Sequence, residues 1–102
     1  MIYIVTRHAG AVAWLRAKGF GGEVVPHLTG DQIRPGNIYI GVLPVPMIKL
    51  ILDAGSRFYL LMLPEVTPAQ RDQEMTPTEM DAAGARLVEV KRIEIAPVDM
   101  KE

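Results

Sequence analysis

Short apolar runs alternate with helical stretches bounded by proline and glycine, and that alternation decides the fold class. The first run, Ile2 to Val5, is apolar at every position, as a strand buried on both faces of a parallel sheet requires. Gly10 to Lys18 reads as the helix after it. Val12 and Leu15 share a face there, and Gly19 is a C-terminal stop. Glu23 to Leu28 is a second, weaker strand centred on Val24 and Val25. The polar stretch Thr29 to Gly36 ends in a Pro35-Gly36 turn signal, and Asn37 to Val42 is a third strand.

Pro44 to Ala54 reads as the second helix, with proline in its first turn and Gly55 closing it. Its middle, Met47 to Leu52, is apolar almost all round, which predicts a well-covered helix. Arg57 to Leu63 is a fourth strand. Two helix starts of one style follow, Thr67-Pro68-Ala69-Gln70 and Thr76-Pro77-Thr78-Glu79. Each has a capping threonine, proline at the first helical position and Gln or Glu two residues on. The second signal is the stronger, and its helix ends at Gly84. Leu87 to Ile95 is the last strand, and after Pro97 the tail is expected to be loose. Two successive β-α-β units followed by helix and strand mean one layered α/β domain, residues 1–97, with a mainly parallel sheet.

Composition narrows the function classes. The chain has 102 residues and a net charge of −1, which suits one core and argues against a general nucleic-acid binder. It has no cysteine and only two histidines. Thiolate chemistry is therefore excluded and a dedicated metal site is not expected. No export signal and no membrane-length apolar run is visible, so the expected location is the cytoplasm, with no membrane partner. A dinucleotide fingerprint, a Walker pattern and a Ser-His-Asp order are all missing, which speaks against an NAD enzyme or an NTPase. No cofactor is expected.

In α/β folds ligands gather at the carboxyl ends of the strands, where the strand order reverses. The first strand ends in Thr6-Arg7-His8, and Ala9-Gly10-Ala11 opens the helix. A helix start built from small residues offers backbone N–H donors and a positive dipole end to an anion. Arg7 can add bidentate phosphate recognition, and His8 can give or take a proton near neutral pH. The alternative is a solvated arginine and a capping histidine, and position at a strand end leaves the two readings level. Gly41-Val42-Leu43-Pro44 is the matching turn of the second unit. Gly41 can admit a ligand to the backbone, although close strand-helix packing is the favoured reading. Proline makes that helix start the poorer anion cradle. His27 and Arg34 are within possible reach of the same ligand. Arg71 lies in a segment readable as a solvated charged helix or as a lid. Lys49, four residues before Asp53, reads as a surface ion pair. Trp14 can stack on a base, but a core or subunit-interface place is favoured.

The string Val5-Thr6-Arg7-His8-Ala9-Gly10-Ala11 with Trp14-Leu15 resembles the opening of a family of small CRISPR-associated proteins linked to type III systems. His27-Leu28, Pro35-Gly36, Gly41-Val42-Leu43-Pro44-Val45 and Gly84-Ala85-Arg86-Leu87 continue the likeness. Arg71 matches a family arginine, here followed by Asp72 where a glycine is expected. The resemblance implies a Rossmann-like three-layer domain related to CARF domains, which bind cyclic oligoadenylates. A stand-alone chain without an attached effector looks more like a Csx-type ring nuclease than a sensor. The function so implied is metal-independent cleavage of cyclic tetra-adenylate by the ribose 2′-hydroxyl, in a homodimer, with no DNA partner. Arg7 and His8 would act on the phosphate and its protons. Thr6, Gly10, Ala11, Gly41, Leu43 and Arg71 would bind the ligand. The rival is a binding protein without catalysis, a sponge or adaptor for cyclic nucleotides.

Overall fold

In the computed structural model, which describes residues 1–63 and 75–101, nine elements follow the chain. They are β1 (Ile2–Val5), α1 (Ala9–Ala17), β2 (Glu23–Val25), a 3-10 turn (Gly30–Gln32), β3 (Ile38–Gly41), α2 (Val45–Asp53), β4 (Arg57–Met62), α3 (Pro77–Ala82) and β5 (Arg86–Val90). The five strands form one sheet in the order β2-β1-β3-β4-β5. β1 pairs in parallel with β2 and β3, and β3 in parallel with β4; β5 runs antiparallel to β4. β1, β3 and β4 are therefore the parallel neighbours that the two β-α-β units predict.

The apolar runs serve both faces of the sheet. Successive side chains on a strand point to opposite sides. Ile4, Ile40 and Leu61 pack with Ala11, Trp14, Leu15 and Met80, beneath α1 and α3. Val5, Tyr39 and Phe58 pack with Leu28, Ile33, Ile48 and Ile51, beneath α2 and the 3-10 turn. Tyr39 and Phe58 are fully buried. The Tyr39 hydroxyl is satisfied there. It accepts from Arg34 N and Asn37 Nδ2 and donates to the Gln32 carbonyl.

α3 begins as its capping pattern predicts. Thr76 Oγ1 accepts from Glu79 N at 3.2 Å, and Glu79 Oε1 accepts from Thr76 N at 3.0 Å. The first capping pattern, Thr67 to Gln70, lies outside the described residues, as does Arg71.

Three expectations need correction. β2 stops at Val25 rather than Leu28, because Pro26 has no N–H and β1 offers no partner beyond the Thr6 N bond to Val25 O. β5 stops at Val90 rather than Ile95. Its last pair is Phe58 with Val90, and β4 begins at Arg57, so the chain beyond has no strand to follow. α2 is not well covered. Only Ile48 and Ile51 are buried, while Val45 and Leu50 are each 50% exposed. Among the described residues no second helix lies beside α2 on its face of the sheet, so only the stripe turned to the strands is buried.

Candidate functional site

The strand order reverses at β1. The chain leaves it on one side for β2 and returns on the other to β3 and β4, with α1 and α2 on opposite faces. That topology opens a crevice between the carboxyl ends of β1 and β3. A cleft of about 550 Å³ lies there. Four strand ends supply its walls: Thr6, Arg7 and His8 after β1, Pro26, His27 and Leu28 after β2, Val42, Leu43 and Pro44 after β3, and Leu61 and Leu63 at the end of β4. Val5, Ala11, Gly41 and Met47 close it from below.

Local chemistry fixes the β1 rim. Thr6 Oγ1 accepts from His8 N at 3.1 Å, a side-chain turn that bends the chain out of the strand and into α1. His8 is the N-cap residue, in extended conformation, and its carbonyl accepts from Val12 N at 3.3 Å. The first turn of α1 carries no acidic side chain, so the positive dipole end is not neutralised within the turn. Arg7 and His8 are exposed on this rim, and Thr6 is half-buried. Among the described residues no carboxylate lines the cleft. One guanidinium, two imidazoles and a helix N-terminus therefore face a single concavity.

The opposite wall is the weaker donor. Pro44 caps α2 and Pro46 sits in its first turn, and the Pro44 carbonyl already accepts from Met47 and Ile48. Gly41 lines the floor for a reason that differs from strand-helix packing. A Cβ there would stand 2.5 Å from the Val5 carbonyl oxygen, so the missing side chain lets β3 approach β1.

Of the residues that the sequence singles out, Thr6, Arg7, His8, Ala11, Gly41, Leu43 and His27 line one cleft. Gly10 is buried behind the rim and is not part of the lining. Arg34 is elsewhere. Its carbonyl accepts from Ser56 Oγ and its N–H donates to Tyr39, which hold it beside the amino ends of β3 and β4. Lys49 pairs with Asp53 at 2.9 Å, as its spacing implies. Trp14 is in the core, 3% exposed, with its indole N–H on Asp81 Oδ1 at 2.8 Å. Met47, Leu61 and Leu63 are lining residues that no local sequence signal marks.

A second depression, of about 540 Å³, lies between α1, α3, β4 and β5. Lys18 there is bound to Asp81 at 3.0 Å, and Arg86 shares the wall with a further carboxylate, Glu89. That depression gives an anion no comparable reception. Among the described residues no cluster of His, Asp and Glu has the makings of a metal site. No helix among them is long and apolar enough to cross a membrane.

Comparison with known proteins supports the CRISPR association that the resemblance implies. No curated protein and no solved structure matches the chain. Residues 3–93 match the model of a family described as "Putative CRISPR-associated protein (Cas_VVA1548)", a span that runs from β1 past the end of β5. The chain belongs to this CRISPR-associated family.

Proposed function

We propose that the protein binds cyclic oligoadenylate, cyclic tetra-adenylate first among them, and opens the ring to end type III CRISPR signalling. The observation that carries this reading is the cleft at the β1 switch point, which no carboxylate among the described residues lines. There Arg7, His8 and His27 meet the amino end of α1, in a chain of a CRISPR-associated family. The cleft falls in the range that takes one drug-sized ligand, so most of a four-nucleotide ring stays outside it. Two clefts facing each other across a two-fold axis would hold the whole ring, which is why the working form is a homodimer.

Each ribose carries its own nucleophile beside the phosphate. The 2′-oxygen attacks phosphorus, the new P–O2′ bond forms, and the P–O5′ bond breaks on the opposite side. A 2′,3′-cyclic phosphate and a free 5′-hydroxyl result. His8 takes the proton from the 2′-hydroxyl, and water protonates the departing 5′-oxygen. Arg7 binds the phosphate and offsets the charge that grows on its oxygens. Holding the 2′-oxygen in line with the leaving oxygen supplies much of the acceleration. Thr6 orients the ribose, and Gly41 and Leu43 form the opposite wall. No metal takes part in these steps.

The test is a time course with labelled cyclic tetra-adenylate in EDTA, resolved by chromatography. The expected products are linear oligoadenylates ending in 2′,3′-cyclic phosphate. A ring that stays bound and intact would make the protein a sponge. A ring that neither binds nor opens removes the reading altogether.

A further inference from the structure

A shallow groove of about 460 Å³ continues from the cleft along the outer flank of α1. Thr6, Arg7 and His8 line both, so the two depressions share one ridge. Beyond the ridge the groove runs over Ala9, Val12 and Ala13 to Arg16, with Val24 of β2 as its other wall. His8, Val12 and Arg16 are spaced four residues apart and stack on one helix face. At the helical rise, Arg16 lies about 12 Å along the axis from His8. Ala9 and Ala13 keep the path between them low.

The chain as a whole is at −1, yet among the described residues no carboxylate lines the groove. Three other cations are held in ion pairs: Lys18 with Asp81, Lys49 with Asp53, Arg57 with Glu89. Among the described residues neither Arg7 nor Arg16 has an acidic partner. Two guanidiniums are thus held at the two ends of a smooth track that opens into the candidate site and that no described carboxylate lines.

We infer that this groove is a second phosphate subsite, in which Arg16 binds a phosphate of an oligonucleotide whose other end occupies the cleft. The inference rests on the reading proposed above and extends it. The ligand is a strand of several nucleotides that crosses the Thr6–His8 ridge, and Arg16 gives it a length preference. A linear product of ring opening, once free to straighten, has that shape. Its bases find only Val12 and Val24 here, so recognition is of backbone charge and not of base identity.

The test uses linear di- and tetra-adenylate, each 3′-phosphorylated, fluorescently labelled and 2′-O-methylated so that no cleavage intervenes, with binding read by anisotropy. Wild-type protein should hold the tetramer about tenfold more tightly than the dimer, the range for one charge-assisted contact. Arg16→Ala should close that gap to within about twofold and reduce the slope of log affinity against log salt by about 0.7. Val24→Glu, which places a carboxylate in the exposed wall, should do the same without touching Arg16. Lys49→Ala should keep the wild-type gap. An Arg16→Ala protein that still prefers the tetramer tenfold overturns the inference while leaving the proposed function standing. Loss of binding to both oligomers and to the cyclic ring in the wild type overturns both. Displacement of the tetramer by poly-glutamate of equal charge more readily than by unlabelled tetra-adenylate assigns the groove to an acidic polypeptide and overturns the inference as well.

Discussion

Gly41→Ala is the substitution that tests how β1 and β3 build the floor of the cleft. The new Cβ would sit 2.5 Å from the Val5 carbonyl oxygen, about 0.9 Å short of the 3.4 Å at which ordinary contact begins. It would also stand 3.4 Å from the Val5 carbonyl carbon and 3.5 Å from its Cβ. None of these atoms is the movable end of a long side chain. Val5 and Gly41 are register partners in a parallel ladder, so relief requires the two strands to part or the ladder to shear. Overpacking of this kind costs about 1–3 kcal/mol. At roughly 4–8 °C per kcal/mol for a domain of this size, the melting temperature should fall by about 5–20 °C. The control is Gly21→Ala, where an added Cβ meets nothing within 4 Å. Thermal denaturation followed by circular dichroism measures both. Affinity for cyclic tetra-adenylate should fall further than stability alone explains, because Thr6 follows Val5 directly and moves with it. A Gly41→Ala protein that melts within about 2 °C of the Gly21→Ala control refutes the close-approach argument.

Arg7→Ala should weaken binding and slow cleavage together, whereas His8→Ala should slow cleavage about 100- to 10,000-fold with less effect on binding; single-turnover cleavage beside a binding assay separates the two. Tyr39→Phe removes a buried hydroxyl with three partners, two of them the N–H of Arg34 and the side-chain amide of Asn37, and should cost about 1–3 kcal/mol in urea unfolding. The Trp14 indole N–H and the Lys18 ammonium hold the Asp81 carboxyl below the usual carboxylate range, and Arg57 does the same for Glu89. Such depressed groups stabilise the fold above the ordinary carboxylate range, and that stabilisation is lost as pH falls through their folded-state values. The melting temperature should therefore be level above about pH 5 and decline below about pH 4, less steeply in Asp81→Asn. A profile that Asp81→Asn leaves unchanged would refute the Trp14–Asp81 linkage.

The parallel core of the sheet was legible because short apolar runs leave a clear pattern in β1, β3 and β4, β-branched in the first two and aromatic and leucine-rich in β4. Strand ends were not, because they depend on the neighbour's length. Nothing in Leu87 to Ile95 says that β4 starts at Arg57 and leaves residues after Val90 unpaired. The cover over α2 was misjudged for a related reason. Apolar residues all round a helix describe what it can bury, and among the described residues no flanking helix on that face covers Val45 and Leu50. At the candidate site the β1 rim could be read directly, since strand, hydroxyl, cation and small-residue helix start are contiguous. His27 could be placed from its position after β2. Leu61, Leu63 and Met47 reach the cleft only through folding, and Arg34 is drawn away by Ser56 and Tyr39, contacts made across the chain rather than along it. The bond from Trp14 to Asp81, joining α1 to α3, had no local signal either.

The central claim is that the ligand enters at the carboxyl ends of the parallel strands, and amide chemical-shift mapping during titration with cyclic tetra-adenylate tests it most directly. The predicted perturbations cluster at Thr6, Arg7, His8, His27, Gly41 and Leu43, with the amides beside Arg34 and Ser56 at the far end unmoved. Perturbations gathered instead at Lys18, Tyr59 and Glu89, around the depression beside β5, would contradict it.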